Sequence, residues 1–242
     1  MTTAGEYQEQ TKYHRDRLPE HGASDGTAGR YKRYPENLPR IELPRPAKLP
    51  KASFWEIVAR RRSERDYAGG ELTTEELFLL LWATQGITQP GRAALRATPS
   101  AGACYPLETY VAVNRVAGCP AGLYHWELPE ERLVLLGRDD ATGEKVAAAC
   151  LDQGMCAEAA CVFLWSAVFG RTVARYGERG LRYVYLDAGH VGQSLQLAAT
   201  ALGLSSCNIA ALFDDEVNSL LGVDGRQESI VYAATVGRPA GR

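Results

Sequence analysis

The feature that most constrains the fold is the longest helical signal in the chain, which covers residues 181–203. This segment is apolar on more than one face, and small residues lie on adjacent turns at Ala188, Gly189 and Gly192. A helix that is apolar almost all round cannot face water and must be buried. The segment therefore predicts a helix that lies either in the core of the protein or between two subunits.

The order of the other predicted elements is mixed. Two amphipathic helices come first, consecutive strands follow, and helices and strands then alternate, which is typical of the α+β class. No G-x-G-x-x-G sequence follows a strand, so nothing indicates a Rossmann site. The helices are predicted at residues 53–62, 73–85, 142–152, 181–203 and 214–223, and the strands at 107–116, 122–128, 132–137, 161–169 and 229–237, with 205–212 as a short strand or loop.

Helix ends carry their own signals. Oxygen-bearing side chains accept hydrogen bonds from the first free N–H groups of a helix, and glycine ends one. The predicted N-caps are Ser53, Thr73 or Thr74, and Asp214 or Asp215, and the predicted terminating glycine is Gly86.

Composition excludes several classes of protein. Hydrophobic residues make up 45% of the chain and the net charge is −2, so bulk charge gives no reason to expect nucleic acid or an anionic membrane surface as a partner. The six cysteines show no C-x-x-C spacing, which argues against a metal site and favours a reducing, cytoplasmic setting. The N-terminus is polar, and the most apolar run outside the long helix, residues 159–170, is too short to span a bilayer.

Residues 1–50 are predicted to form an extended arm that precedes one domain, residues 51–242. The arm is rich in Pro, Gly, Arg and Tyr, has no sustained period, and carries five prolines between Pro35 and Pro50. Two interpretations stay open: a loose tail, or a segment that packs against the body of the protein near residues 41–44.

Two short segments carry the strongest chemical signals. Residues 61–65, RRSER, place three arginines and a serine at the predicted end of a helix, and residues 97–106, ATPSAGACYP, form a loop of small residues before a strand. Arginine binds phosphate bidentately, and small side chains let a flat ring approach the backbone. Together they predict a cofactor with a planar ring and a phosphate, and hence a redox enzyme. Alone, each has a simpler explanation: a solvated basic helix end, and a plain surface loop.

Other polar residues are weaker candidates. Arg238 leaves the last predicted strand at its end and could join Arg61 on a phosphate, although a charge that merely ends a strand is the simpler interpretation. Asp187 and His190 lie in the long apolar helix, where internal hydrogen bonding is the common role. The chain has neither a G-x-S-x-G elbow nor an H-E-x-x-H sequence, so nothing indicates a hydrolase.

Taken in order, these motifs resemble those of the SagB-type, or ThcOx-type, dehydrogenases within the flavin-dependent nitroreductase superfamily. The resemblance covers most of the chain, and the joint occurrence of the motifs is far more specific than any one of them. They are RRSER at 61–65, LLLWATQGIT at 79–88, TPSAGACYPLETYV at 98–111, GLYHWE at 122–127, YLDAGHVGQSLQLAATALGLSSC at 185–207, and GVDGRQES through VGRP at 222–239.

The resemblance implies a nitroreductase-like fold with a mostly antiparallel central sheet flanked by helices. It also implies a homodimer that holds two FMN molecules between its subunits. By this analogy Arg61 and Arg238 clamp the FMN phosphate with Arg62 and Ser63 nearby, and Arg65 lies toward the pyrimidine end of the ring. The loop residues come from the other subunit, and a second group lies near flavin N5: Pro99, Ser100, Ala101 and Gly102 for the loop, and Ile209, Ala210 and Ala211 for the ring edge.

The resemblance also implies a catalytic pair. Azoline-oxidising members of the family carry a Lys-Tyr pair before the long helix, and the matching residues here are Arg175 and Tyr176. Arginine is a poor proton acceptor, so Tyr176 is the expected acid or base. Three functions stay open: oxidation of an azoline in a peptide to the azole, NAD(P)H-driven reduction of a nitroarene or quinone, and a flavin-binding or structural module without turnover.

Overall fold

The computed structural model describes residues 2–15, 28–91 and 94–241. In this part of the chain, seven strands form one sheet in which every neighbouring pair is antiparallel. The predicted α+β class with an antiparallel sheet is confirmed. The strands, in spatial order, are β1 (Arg40–Glu42), β6 (Arg132–Arg138), β5 (Gly122–Glu127), β4 (Leu107–Val113), β7 (Cys161–Val168), β9 (Glu228–Gly237) and β8 (Ser205–Ile209), and a separate small ladder joins β2 (Ile87–Gln89) to β3 (Leu95–Arg96).

Helices cover both faces of the sheet. The two long helices, α3 and α7, share one hydrophobic cluster with the sheet, and α4, α5 and α8 share the cluster on the opposite face. The helices are α1 (Thr3–Gln10), α2 (Phe54–Arg60), α3 (Thr74–Gln85), α4 (Thr142–Ala149), α5 (Met155–Glu158), α6 (Gly170–Tyr176), α7 (Gly180–Ala201) and α8 (Asp214–Leu221).

Strand β4 shows how the two clusters meet. The predicted alternation along this strand is real, because Leu107, Val111 and Val113 point into one cluster while Tyr110 and Ala112 point into the other. All seven residues of β4 are nonetheless buried, since helices cover both sides of the sheet.

Helix ends follow the predictions only in part. Thr73 caps α3 in a capping box with Glu76, and Gly86 ends that helix, as predicted. Ser53 is the N-cap residue of α2, as predicted, but its side chain makes no capping hydrogen bond. The prediction for α8 was wrong, because Phe213 occupies the N-cap and Asp214 and Asp215 lie in the first turn, where their charges still favour the helix dipole.

Two helices leave apolar side chains uncovered in a single copy. Helix α2 has no buried residue, and Phe54, Trp55 and Val58 are exposed, Trp55 to 77%. Helix α7 buries one stripe against the sheet but exposes Tyr185 and Leu186. The long helix was predicted to lie in the core or between two subunits. In the structure only one of its faces is buried in the core. The uncovered apolar surface is of the kind that marks a protein contact.

The N-terminal arm packs against the body of the protein. It contains strand β1, which pairs with β6, and helix α1. Helix α1 was not predicted, because the arm has no apolar period. Lys32 forms an ion pair with Glu228, and Arg40 forms one with Glu127. Met1 and residues 16–27 of the predicted arm lie outside the described residues, and the domain boundary at residue 50 stays a prediction. No helix in the described ranges is both long and apolar enough to cross a bilayer.

Candidate functional site

The RRSER segment runs along the edge of the sheet instead of ending a helix. Helix α2 stops at Arg60, and Arg61 already has extended backbone angles, φ −51° and ψ 123°. Ser63 forms a parallel bridge with Ser206 of β8, and the Glu64 N–H donates to the Ser206 carbonyl at 3.0 Å. The expectation that Arg61 and Arg62 occupy successive helix positions was wrong, because pairing with β8 replaces the helix.

This segment lines a cleft of about 1120 Å³, which is large enough for a cofactor. Three arginines line it, Arg60, Arg62 and Arg65, with two carboxylates, Glu64 and Asp66, and the hydroxyls of Ser63 and Ser205. Among the described residues, Arg62 donates only to the backbone carbonyls of Ala59 and Arg61, and Arg65 is exposed and makes no hydrogen bond or ion pair. The cleft thus offers cationic donors that suit an anionic group such as a phosphate.

Gln196 connects the segment to helix α7. Its side chain is buried, its Oε1 accepts from Arg61 Nη1 at 3.3 Å, and its Nε2 donates to Ser63 Oγ at 3.4 Å. We did not single out this residue in the sequence. The available signal was a lone amide on the buried stripe of an otherwise apolar helix, where a polar group needs a partner.

Arg238 makes its hydrogen bonds with the start of helix α3 and the residues before it. Its guanidinium binds both oxygens of Glu76, at 2.8 and 2.7 Å, and donates to the Glu71 carbonyl at 3.0 Å. The neighbouring Pro239 lines the cleft. In this structure the two arginines therefore have different partners, and their joint action on one phosphate stays a prediction.

The small-residue loop is held by Asp187 of helix α7. Ser100 Oγ donates to Asp187 Oδ2 at 2.5 Å, the Ala101 N–H donates to Asp187 Oδ1 at 3.2 Å, and the Tyr105 N–H donates back to Ser100 Oγ at 2.9 Å. Burial raises the pKa of the Asp187 carboxyl, although the hydrogen bonds from the loop favour its charged form. Pro99 at the start of the loop is exposed. Asp187 is a site residue for which the sequence indicated only internal pairing.

The loop also meets the predicted catalytic pair. Arg175 Nη1 donates to the Gly102 carbonyl at 3.0 Å, and Gly102 has a left-handed φ of +58°. A Cβ at this position would overlap the Tyr176 hydroxyl and lie 3.0 Å from Arg175 Cζ. Only glycine fits here without strain, both for its φ and for the space that remains.

The remaining predicted residues lie at the end of β8. Ile209 is buried, whereas Ala210 and Ala211 are exposed, and Gln153 donates to the Ala211 carbonyl at 3.1 Å. His190 is exposed on α7. In the described ranges, no three His, Cys, Asp or Glu side chains come together as ligands for a metal ion.

A single copy does not unite the cleft and the loop. The loop is anchored at Asp187 and the cleft is lined by Thr200 on the same helix. At a rise of about 1.5 Å per residue, these points of α7 are roughly 20 Å apart along its axis. The structure therefore brings the loop to Arg175 and Tyr176, and the arginines to β8, as two separate groups.

Comparison with known proteins gives consistent matches. The model of the family described as "Nitroreductase family" matches residues 58–238. The protein named "Putative nitroreductase MJ1384" of Methanocaldococcus jannaschii is 38% identical over 183 residues, which is 76% of this chain and 89% of that protein.

Two more distant matches extend over almost the whole chain. The "Trifolitoxin-processing protein TfxB" of Rhizobium leguminosarum bv. trifolii is 26% identical over 92% of this chain and 63% of its own length. A crystal structure described as a "putative nitroreductase" from Anabaena variabilis superposes with a TM-score of 0.77 at 27% identity, over 97% of this chain. This chain spans only 47% of the Anabaena chain.

Proposed function

The chain belongs to the nitroreductase family, a family of oxidoreductases, and from this membership we propose that it is an FMN-dependent oxidoreductase of the SagB type. The observation that carries the proposal is the arginine-lined cleft at the edge of β8. There, extended backbone presents Arg62 and Arg65 beside Ser63, and the Arg65 guanidinium has no described partner.

The residues of the cleft fit the phosphate of FMN. Arg62 brings positive charge, Ser63 brings a hydroxyl donor, and charge-assisted hydrogen bonds to phosphate are among the strongest that side chains make. Arg65, in the same cleft, would lie toward the pyrimidine end of the ring. Arg61, which donates to the Gln196 side chain, would join Arg62 and Ser63 at the phosphate. Arg238 would have to exchange its contact with Glu76 for the phosphate. When bound, the flavin supplies an N5 atom that exchanges a hydride with substrate, and Ile209, Ala210 and Ala211 would lie along that part of the ring.

We further propose that two copies complete each site. The exposed apolar side chains of α2 and α7 supply surface for such a contact: Phe54, Trp55, Val58, Tyr185 and Leu186. The separation of roughly 20 Å along α7 between Asp187 and Thr200 supports the same conclusion, because residues 99–102 do not line the cleft of their own copy. In the dimer, residues 99–102 of one copy would cover the ring held by the other.

Tyr176 and Arg175 are the proposed catalytic pair. Arg175 donates to the Gly102 carbonyl, so it orients the loop, and its guanidinium supplies a fixed positive charge. Tyr176, whose hydroxyl lies against the same glycine, is the group that would give or take a substrate proton.

A modified peptide is the proposed substrate, with oxidation of a thiazoline or oxazoline to the azole. The name of the trifolitoxin-processing relative supports this class, although this chain spans less than two thirds of that protein. The name of the archaeal relative supports the second candidate, NAD(P)H-dependent reduction of a nitroarene or quinone. A flavin-binding module without turnover is the third. We also propose a cytoplasmic location, which the six free cysteines favour.

The visible spectrum of the purified protein tests the cofactor. We expect flavin bands, and we expect Arg62→Ala to bind FMN about 10- to 100-fold more weakly, since a hydrogen bond to a charged group such as the phosphate contributes roughly 1.5–3 kcal/mol. Arg226→Ala is the matched control, because that arginine is exposed in a turn before β9, away from the cleft. A colourless protein that does not respond to FMN would refute the proposal.

Anaerobic bleaching of the bound flavin separates the candidate substrates. Bleaching by a thiazoline peptide supports the peptide oxidase, bleaching by NAD(P)H supports the reductase, and a yellow protein that neither bleaches supports the binding module. Wild-type turnover in Tyr176→Phe would remove the proposed role of the tyrosine.

A further inference from the structure

We infer that the N-terminal helix α1 is a positioning element for Tyr176, acting through Tyr183. The inference rests on the proposed function in one respect, namely that Tyr176 acts on substrate. It concerns helix α1, which precedes residues 58–238, the segment that the family model matches.

Helix α1 docks on the start of α7 through two arginines. Arg179 Nη1 donates to the Thr11 carbonyl at 2.7 Å, and Arg182 Nη2 donates to the Gln8 carbonyl at 2.7 Å. These carbonyls belong to the C-terminal end of α1, where cations satisfy free acceptors and favour the helix dipole. The Tyr7 hydroxyl adds a hydrogen bond to the Glu178 carbonyl at 3.2 Å.

The docked segment holds Tyr183 from two sides. Arg179 Nε donates to the Tyr183 hydroxyl at 2.9 Å, and the Tyr183 hydroxyl lies 3.4 Å from that of Tyr13, just after α1. The guanidinium of Arg179 also lies over the Tyr13 ring, 4.4 Å from its centroid. One arginine therefore binds the end of α1, the Tyr13 ring and the Tyr183 hydroxyl together.

Tyr183 in turn packs directly on Tyr176. The two rings meet edge to face, with centroids 5.0 Å apart and an interplanar angle of 83°, which is a favourable geometry for an aromatic pair. Tyr176 is the last residue of α6 and is followed by Gly177 at φ +59°, so its backbone ends at a turn and its ring orientation depends on neighbours. Gly102 and Arg175 bound it on the loop side, and Tyr183 bounds it on the side of α1.

The attachment of α1 is built from polar contacts. No residue of α1 itself is buried, so the helix can be released without opening the hydrophobic core. Arg182 is the best point to release it. Its hydrogen bonds and ring contact are with the Gln8 carbonyl, the Thr11 hydroxyl and the Tyr7 ring, all in or next to α1. Its positive charge also contributes to the lowered pKa of the Tyr183 hydroxyl, and a lysine at this position keeps that charge.

The test uses the full-length, flavin-loaded protein with 3-fluorotyrosine incorporated at position 176 alone. We expect Arg182→Ala to shift or broaden the ¹⁹F resonance of that ring and to lower kcat about tenfold with KM and FMN affinity little changed, because misplacement of a reacting group acts on the chemical step. Arg182→Lys should recover part of both effects, since lysine can still donate to one carbonyl. Lys12→Ala is the matched control, because Lys12 lies next to α1 but pairs with Glu9 and not with α7.

The outcomes are distinguishable. A ¹⁹F resonance that is the same in Arg182→Ala and in Lys12→Ala would overturn the inference, and so would an unchanged kcat in Arg182→Ala. If Tyr183→Ala, which removes the ring itself, leaves the resonance in place, the aromatic contact has no positioning role and the inference is also wrong. Wild-type turnover in Tyr176→Phe would instead refute the proposed chemistry, whatever the resonance shows.

Discussion

Gly102→Ala is the substitution that most directly tests the contact between the loop and the catalytic pair. Gly102 adopts φ +58° and ψ 22°, and a left-handed conformation costs an alanine roughly 1–2 kcal/mol. The added Cβ would also overlap the Tyr176 hydroxyl, and overpacking of this kind costs about 1–3 kcal/mol more or displaces the neighbour. We therefore expect Gly102→Ala to cost about 2–5 kcal/mol in total. Part of this cost lowers the free energy of unfolding, and part is relieved when Tyr176 moves away from the new Cβ.

Gly222→Ala separates the two contributions. Gly222 ends α8 at φ +67° and ψ 36°, and a Cβ there would meet nothing within 4 Å, so this variant carries the backbone strain alone. For a domain of this size 1 kcal/mol changes Tm by about 2–4 °C. We expect Gly222→Ala to lower Tm by roughly 2–8 °C, and Gly102→Ala to lower it further, with a large loss of kcat that Gly222→Ala does not show.

The background variant Tyr176→Phe completes the design. It removes the hydroxyl that the new Cβ would overlap, so the excess destabilisation of Gly102→Ala over Gly222→Ala should shrink. Equal Tm losses for the two alanine variants in the wild-type background would refute the contact, and so would an excess that persists unchanged in Tyr176→Phe.

Two further predictions concern buried carboxylates. Asp187→Ala leaves the Ser100 hydroxyl and the Ala101 N–H without their acceptor. We expect it to lower the free energy of unfolding, measured in urea, by about 1–3 kcal/mol. Equal stability of Asp187→Ala and the isosteric Asp187→Asn would contradict this. Burial by itself would raise the pKa of Glu108, but hydrogen bonds and positive charge from His125 and Arg171 outweigh it and lower that pKa from 4.5 to about 2. Since the folded pKa is the lower one, the contribution is fully present above about pH 4.5 and is lost as the pH falls toward 2, on the order of 3 kcal/mol in all. Urea unfolding between pH 5 and 3 covers about half of this fall, and stability should decrease more steeply in the wild type than in Glu108→Gln. Parallel profiles would show that Glu108 is not the source of the difference.

The spacing of apolar residues and the capping residues at helix ends predicted the elements that have a buried face or that pair with segments close in sequence. Helix α3 and strand β4 follow from their apolar spacing, since Leu77, Leu80 and Leu81 face the core as the pattern requires. The end of α2 did not follow, because arginine favours helix and only the pairing of Ser63 with Ser206, far along the chain, pulls the backbone into an extended form. Helix α1 was missed for a related reason: it buries no residue, and the arginines that hold it lie far along the chain, just before α7 and in its first turn.

The candidate site shows the same division. The arginines and the loop were visible in the sequence because several unusual residues lie within a few positions. Gln196 and Asp187 were not recognised as site residues, because an apolar helix hides single polar residues whose partners lie more than 80 positions away. The contact of Arg175 with Gly102 depends on a loop folding back by 73 positions, which no local pattern encodes.

The two halves of the proposed site, the small-residue loop and the arginine-lined cleft, lie at different points along the long helix α7 of one copy. If two copies share their sites, each active site is built from residues of both subunits, and a substitution in one subunit can reduce the activity of both sites. Catalytic capacity would then depend on protein concentration: on dilution, dissociated copies would keep their arginine clefts but lose the loop that each had lent to the other.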